Sequence, residues 1–137
     1  MLLVIGGTEE TAKRIESFLR NAGHPLRCGW TDDIGEMADI LQRTTPDVLL
    51  CDEIHSVIAA QDLIERASAL RPDIPVLLVG KPFAPQDTAT ALALGARDLV
   101  CCEDETHLRH LELVILREFL NHHHLRTLRL LRDRLMD

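Results

Sequence analysis

The chain has 137 residues, 46% of them hydrophobic, and a formal net charge of −7, which is the size and apolar content of one domain around one core. Its acidity argues against a nucleic-acid binder, because phosphate contacts need clustered lysines and arginines. No apolar run approaches the roughly 18–20 residues that span a bilayer, and Met1 leads into a strand-like run with no basic leader before it. A cytoplasmic protein without membrane contact is expected.

Short apolar runs alternate with helical patterns from the start. Leu2–Ile5 reads as a strand ending in Gly6-Gly7, and Thr8 is placed to cap a helix over Thr11–Asn21. That helix presents Ile15, Phe18 and Leu19, with Ala22 close by, as an apolar face, and Gly23 followed by Pro25 ends it. Leu26–Trp30 is the second strand, with an indole N–H that should seek a polar neighbour. The pattern continues with a helix over Ile34–Gln42, a strand over Val48–Cys51 running into Asp52, a helix over Ile58–Ala69, and a strand over Val76–Val79. A helix over Thr88–Leu94 stopped by Gly95, a strand over Leu99–Cys101 and a last helix from about Glu105 complete five strand–helix units. Leu2–Ile5, Val48–Cys51 and Val76–Val79 are apolar throughout rather than alternating, as strands are when helices cover both faces of a parallel sheet. An α/β doubly wound sheet is the predicted fold class.

The four cysteines, at 28, 51, 101 and 102, fit neither a secreted disulfide framework nor a zinc pattern, and Cys28 and Cys51 read as small buried hydrophobes. His122-His123-His124 cannot close on one ion, because successive helical residues point about 100° apart. His107 and His110 share a helix face without another ligand in sight. Gly6-Gly7-Thr8 opens a helix after a strand, a turn that can hold phosphate, but neither nucleotide-binding glycine motif is present.

The last helix reads on to the end of the chain without Gly or Pro. Its first half, with Leu108, Leu111, Ile115 and Phe119, can lie on the sheet, whereas Leu125, Leu128, Leu131 and Leu135 form a separate stripe flanked by Arg126, Arg129, Arg132 and Arg134. A stripe of that kind needs another surface to cover it. Residues 1–120 are read as the domain and 121–137 as a helical extension, the start of a signalling coiled coil or linker.

From about Leu2 to Leu120 the order of these pieces resembles the response-regulator receiver (CheY-like) domains. The likeness rests on Leu2–Ile5, Gly23, Pro46–Asp52, Ile74–Val79 and Gly95-Ala96-Arg97-Asp98 in sequence. It implies a flavodoxin-like strand order of 2-1-3-4-5 and an acceptor carboxylate at Asp52. It also implies an interface built from the Ala84–Leu94 segment with the last strand and helix. A receiver of this kind running into a leucine- and arginine-rich helix is similar to the front end of multidomain FimX-type cyclic-di-GMP regulators.

Position by position, the rest of the family's site departs from its pattern. The acidic pair that holds magnesium falls at Gly6 and Gly7, the hydroxyl after strand four at Gly80, and the lysine after strand five at Cys102. Phosphoryl transfer to a carboxylate depends on charge stabilisation by metal and cations, and Asp52 alone offers one ligand. Glu9 and Glu10 fall in the first helical turn, where they complement the helix dipole. Lys81 reads either as a solvated loop cation or as a standing partner of Asp52.

The expectation is therefore a degenerate, non-enzymatic receiver with no cofactor, a homodimeric interaction module joined to an output domain or partner protein. One alternative keeps Asp52 as a phosphoacceptor with an atypical magnesium site. A second makes the pocket vacated at Gly6, Gly7, Gly80 and Cys102 a small-molecule or redox sensor.

Overall fold

Side-chain alternation explains why the middle strands carry no polar face. In β1 (Leu2–Gly6), Leu2 and Val4 enter one apolar cluster while Leu3 and Ile5 enter another on the opposite face. β3 (Val48–Asp52) and β4 (Val76–Val79) divide in the same way, with Val48, Leu50, Leu77 and Val79 on one side and Leu49, Cys51, Val76 and Leu78 on the other. Such strands belong at the centre of a sheet covered twice. In the computed structural model, which describes residues 1–52, 60–80 and 85–136, and only the backbone at 85, 122, 124–129 and 136, they lie there. The sheet has five parallel strands in the order β2-β1-β3-β4-β5, with β2 (Cys28–Thr31) and β5 (Asp98–Val100) at its edges.

α1 (Glu9–Asn21) and α5 (Glu105–Met136) cover the first cluster through Ala12, Ile15 and Leu19 and through Leu108, Leu111, Val114 and Ile115. α2 (Ile34–Arg43), α3 (Ala60–Leu70) and α4 (Pro85–Ala93) cover the second, with Met37, Leu41, Leu63, Ile64, Ala67 and Ala91. Element ends differ from the sequence pattern by one to three residues, two of them for evident local reasons. α1 starts two residues early because the Thr8 hydroxyl accepts the Thr11 N–H at 3.2 Å, and α4 starts at Pro85, whose fixed φ suits a first helical position. Ala22, expected beside the apolar face of α1, is instead its exposed C-cap, and Cys28 is half-buried because its strand is an edge.

The turn after α1 fixes a contact across the domain. Gly23, at φ 92°, lets its own N–H reach the Arg20 carbonyl at 3.1 Å and the His24 N–H reach the Leu19 carbonyl at 2.8 Å, a Schellman closure. His24 is thereby aimed at α5, where its Nε2 lies 2.8 Å from Oε2 of the buried Glu112, whose Oε1 accepts from Arg109 at 2.5 Å. A second buried acid, Glu118, accepts from Arg97 Nε at 3.1 Å and Arg117 Nε at 3.0 Å. The two acids flank the buried face of α5 and tie it to α1 on one side and to the start of β5 on the other.

Burial works to raise the Glu112 carboxyl, but the hydrogen bonds and charges of Arg109 and His24 outweigh it and hold it below the ordinary value of 4.5. A depressed folded-state value makes this stabilisation complete above the unfolded value, and it is lost as pH falls through the folded one. Urea melts should accordingly show Glu112→Gln less stable than the parent at pH 7, with the gap closing below about pH 4. A gap independent of pH would detach this acid from the acid sensitivity of the fold.

At 1.5 Å per residue, the 32 residues of α5 extend about 48 Å. Glu105 starts beside the C-terminal edge of the sheet, and Glu118 already meets Arg97 at the opposite edge. The helix therefore continues for some four turns past the last strand.

Candidate functional site

At the C-terminal edge of the sheet the connections leave β1 and β3 toward opposite faces, and this divergence is where open α/β sheets place their sites. The pairing register sets Gly6 of β1 opposite Asp52 of β3, and Asp52 opposite Val79 of β4. Asp52 is buried, its carboxylate lying under the turn that follows β1.

That turn is left-handed at two consecutive residues, with φ 82° at Gly6 and 64° at Gly7. Residues with a Cβ rarely adopt such a backbone. Space demands glycine as well, because a Cβ on Gly7 would stand 2.3 Å from Asp52 Oδ2 and 2.8 Å from its Cγ. The Asp52 carboxylate thus takes the space beside Gly7. From the other side the Trp30 indole, as its N–H required, donates to the Gly6 carbonyl at 3.0 Å. The turn is held between an aromatic donor on β2 and an acid on β3.

Cys102, just past β5, is buried close enough to Asp52 for its thiol to be affected. Burial chiefly, and then the Asp52 charge, push this thiol above its ordinary value, against the opposing pull of Arg14. Cys28 is pushed up to about 12, by burial and by the neighbouring Glu16 charge. Both thiols are held protonated at neutral pH, the unreactive form. Arg14 was not among the residues singled out in the sequence: from α1 its Nη2 donates to the Cys102 carbonyl, bringing a guanidinium to the end of β5. Nothing in the sequence separates it from the other basic residues of α1.

Gly80 follows β4, and its N–H donates to the Val100 carbonyl at 2.8 Å. A Cβ there would meet Leu99 Cδ1 at 3.3 Å, on the side of the second apolar cluster. Lys81 lies outside the described residues. Glu9 and Glu10 are in the first turn of α1, as expected, with Glu9 3.8 Å from Lys13 on the exposed side. Asp104 caps α5 by accepting the His107 N–H at 2.9 Å. Of the tail leucines, Leu131 and Leu135 are exposed, while the side chains of Leu125 and Leu128 lie outside the described residues.

The donor set does not fit the magnesium site that the fold implies. Magnesium takes a near-octahedral shell from one or two carboxylates, phosphate oxygens and waters. Here β1 contributes two glycines, one of them pressed against the acid, and among the described residues no three His, Cys, Asp or Glu side chains gather as a metal-binding group. A cleft of about 470 Å³ lies at the far edge of the sheet, lined by Ile74, Pro75, Arg97, Glu118 and others. It is separate from the Asp52 neighbourhood.

No family model matches the sequence, and no curated protein matches it. Solved structures do match. The receiver domain of the Francisella response regulator 1452 superposes with a TM-score of 0.71 at 14% identity, over 88% of this chain and 96% of that one. A CheY-like response-regulator receiver domain protein from Methanospirillum hungatei gives 0.70 at 16% identity, over 89% and 94%. NtrX from Brucella abortus, in complex with ADP, gives 0.79 at 18% identity over 99% of this chain, which spans 30% of NtrX. Among the described residues no helix is long and apolar enough to cross a membrane. The chain has the fold of the response-regulator receiver domains, a parallel sheet in the order 2-1-3-4-5 between two layers of helices.

Proposed function

We propose that this chain is a degenerate receiver domain of a bacterial signalling regulator. It acts as a non-enzymatic protein-interaction and dimerisation module rather than as a magnesium-dependent phosphorylation switch, with its output in another domain or partner protein. The observation that carries this reading is the close contact between Gly7 and Asp52. A switch needs carboxylates beside the acceptor to hold a cation against the incoming phosphoryl group. Here the β1 turn has neither the side chains nor, at Gly7, the space for one. The site at the end of β5 also differs, with a neutral thiol at Cys102 and a guanidinium committed to a backbone carbonyl where the family keeps its lysine. The extended α5 supplies the surface for association.

Trp30 is the one tryptophan in the chain, and its bond to Gly6 makes it a reporter of this turn. Titration with magnesium and beryllium fluoride should leave its fluorescence unchanged into the millimolar range. A saturable change would favour the other reading, an acceptor at Asp52 with an atypical metal shell.

A further inference from the structure

Of the five large apolar side chains of α5 that stand in solvent among the described residues, Leu130, at 64% exposure, lies about 100° to one side, and the other four form a line: Leu113 at 51%, Leu120 at 72%, Leu131 at 50% and Leu135 at 88%. At about 100° per residue they fall within an arc of about 60°, opposite the face that Leu111 and Ile115 press into the core, and they run for about 33 Å. The line differs from the stripe expected from the sequence. It starts on the domain itself, and helical periodicity sets Leu125 about 120° away from Leu113. A straight rod with this repeat is best covered by another straight helix of similar length.

We propose that the occupant is α5 of a second copy of this chain, packed antiparallel. This rests on the dimerisation reading above and gives it a geometry. Charge selects the direction. Residues 121–137 carry four arginines and two aspartates, so residues 1–120 hold a net charge of −9 beneath a cationic tail. Parallel packing sets one arginine-rich tail beside the other, where like charges repel. Antiparallel packing lays each tail over the acidic body of its partner. The positions of the leucines allow this. With a two-fold axis near residue 125, Leu113 comes level with the second copy's Leu135, and Leu120 with its Leu131, each to within about 2 Å along the helices, and the symmetry repeats both pairs, as an isologous interface requires. The two domains then lie at opposite ends of the helix pair, on opposite sides, without competing for space.

Three measurements on the whole chain test this. Sedimentation should show a concentration-dependent dimer that weakens several-fold between 50 and 500 mM salt, because screening removes an attraction. In an equimolar mixture of Leu113→Cys and Leu135→Cys chains under mild oxidation, the mixed disulfide should exceed either self-linked product by much more than the twofold that random pairing gives, with the parent chain as the control for native thiols. Leu113→Glu should abolish the dimer while leaving the melting temperature within a few degrees of the parent. A monomer at every concentration, preferential self-linking of Leu135→Cys, or a dimer that tightens with salt would each overturn the antiparallel pair. Self-linking with tightening would still leave a parallel dimer, and the Trp30 titration decides the switch question independently of all three.

Discussion

Replacing Gly7 with aspartate, which restores one of the receiver family's acids by sequence, is expected to cost about 3 kcal/mol of stability or more and to create no magnesium site. A residue with a side chain at left-handed φ costs about 1–2 kcal/mol. The new Cβ would stand 2.3 Å from Asp52 Oδ2, so a buried acid must move, and a second carboxylate is added beside it in a poorly hydrated place. At roughly 4 °C per kcal/mol for a chain of this length, the melting temperature should fall by about 12 °C. Gly7→Ala separates the contributions, since it keeps the backbone strain and the close contact but adds no charge. Made in an Asp52→Ala background it should cost less by about 1 kcal/mol, the signature of two residues in direct contact. Equal costs in both backgrounds would mean that the carboxylate moves aside freely and that the Gly7 contact does not constrain the site.

Leu111→Ala should unfold the domain far more readily, by about 3 kcal/mol, whereas Leu113→Ala, two residues along the same helix, should change stability by less than about 0.5 kcal/mol. Leu111 is fully buried against the sheet and its truncation leaves a cavity, the situation in which leucine-to-alanine changes cost 2–5 kcal/mol. Leu113 points the other way, half in water. Urea melts at low micromolar protein, where association adds little, should show the contrast. Similar losses at both positions would mean that Leu113 is covered even in the isolated chain.

The layered architecture was legible because strands apolar on both faces have one place to go, and because Thr8, Gly23 and Gly95 punctuate the chain where the helices start and stop. Strand and helix ends drifted by one to three residues, with a cap deciding the start of α1 and a proline that of α4. The site was legible only in outline. Gly6-Gly7 announces missing carboxylates, but the left-handed turn and its pressure on Asp52 arise from a β1–β3 pairing between residues some 45 positions apart. Arg14 could not be picked out, since folding alone brings it to the Cys102 carbonyl. Glu112 and Glu118 do leave a trace in the sequence. Each stands at the flank of the apolar face carried by Leu108, Leu111 and Ile115, where an acid must find a cation. The leucine pattern misled in its grouping: tail and domain share one exposed line, and the line includes Leu113 and Leu120.

α5 begins within three residues of Cys102 and runs to Met136 as one helix. It starts at the sheet's upper rim, and its far half extends beyond the domain. A bend of 5° at Glu118 would carry the far end through about 2 Å, since the 18 residues beyond it extend about 27 Å. The acids at 112 and 118 act as its bearings, one against the His24 turn and one against Arg97. Any small change in the contacts of Glu118 would be enlarged along the 18 residues of helix beyond it.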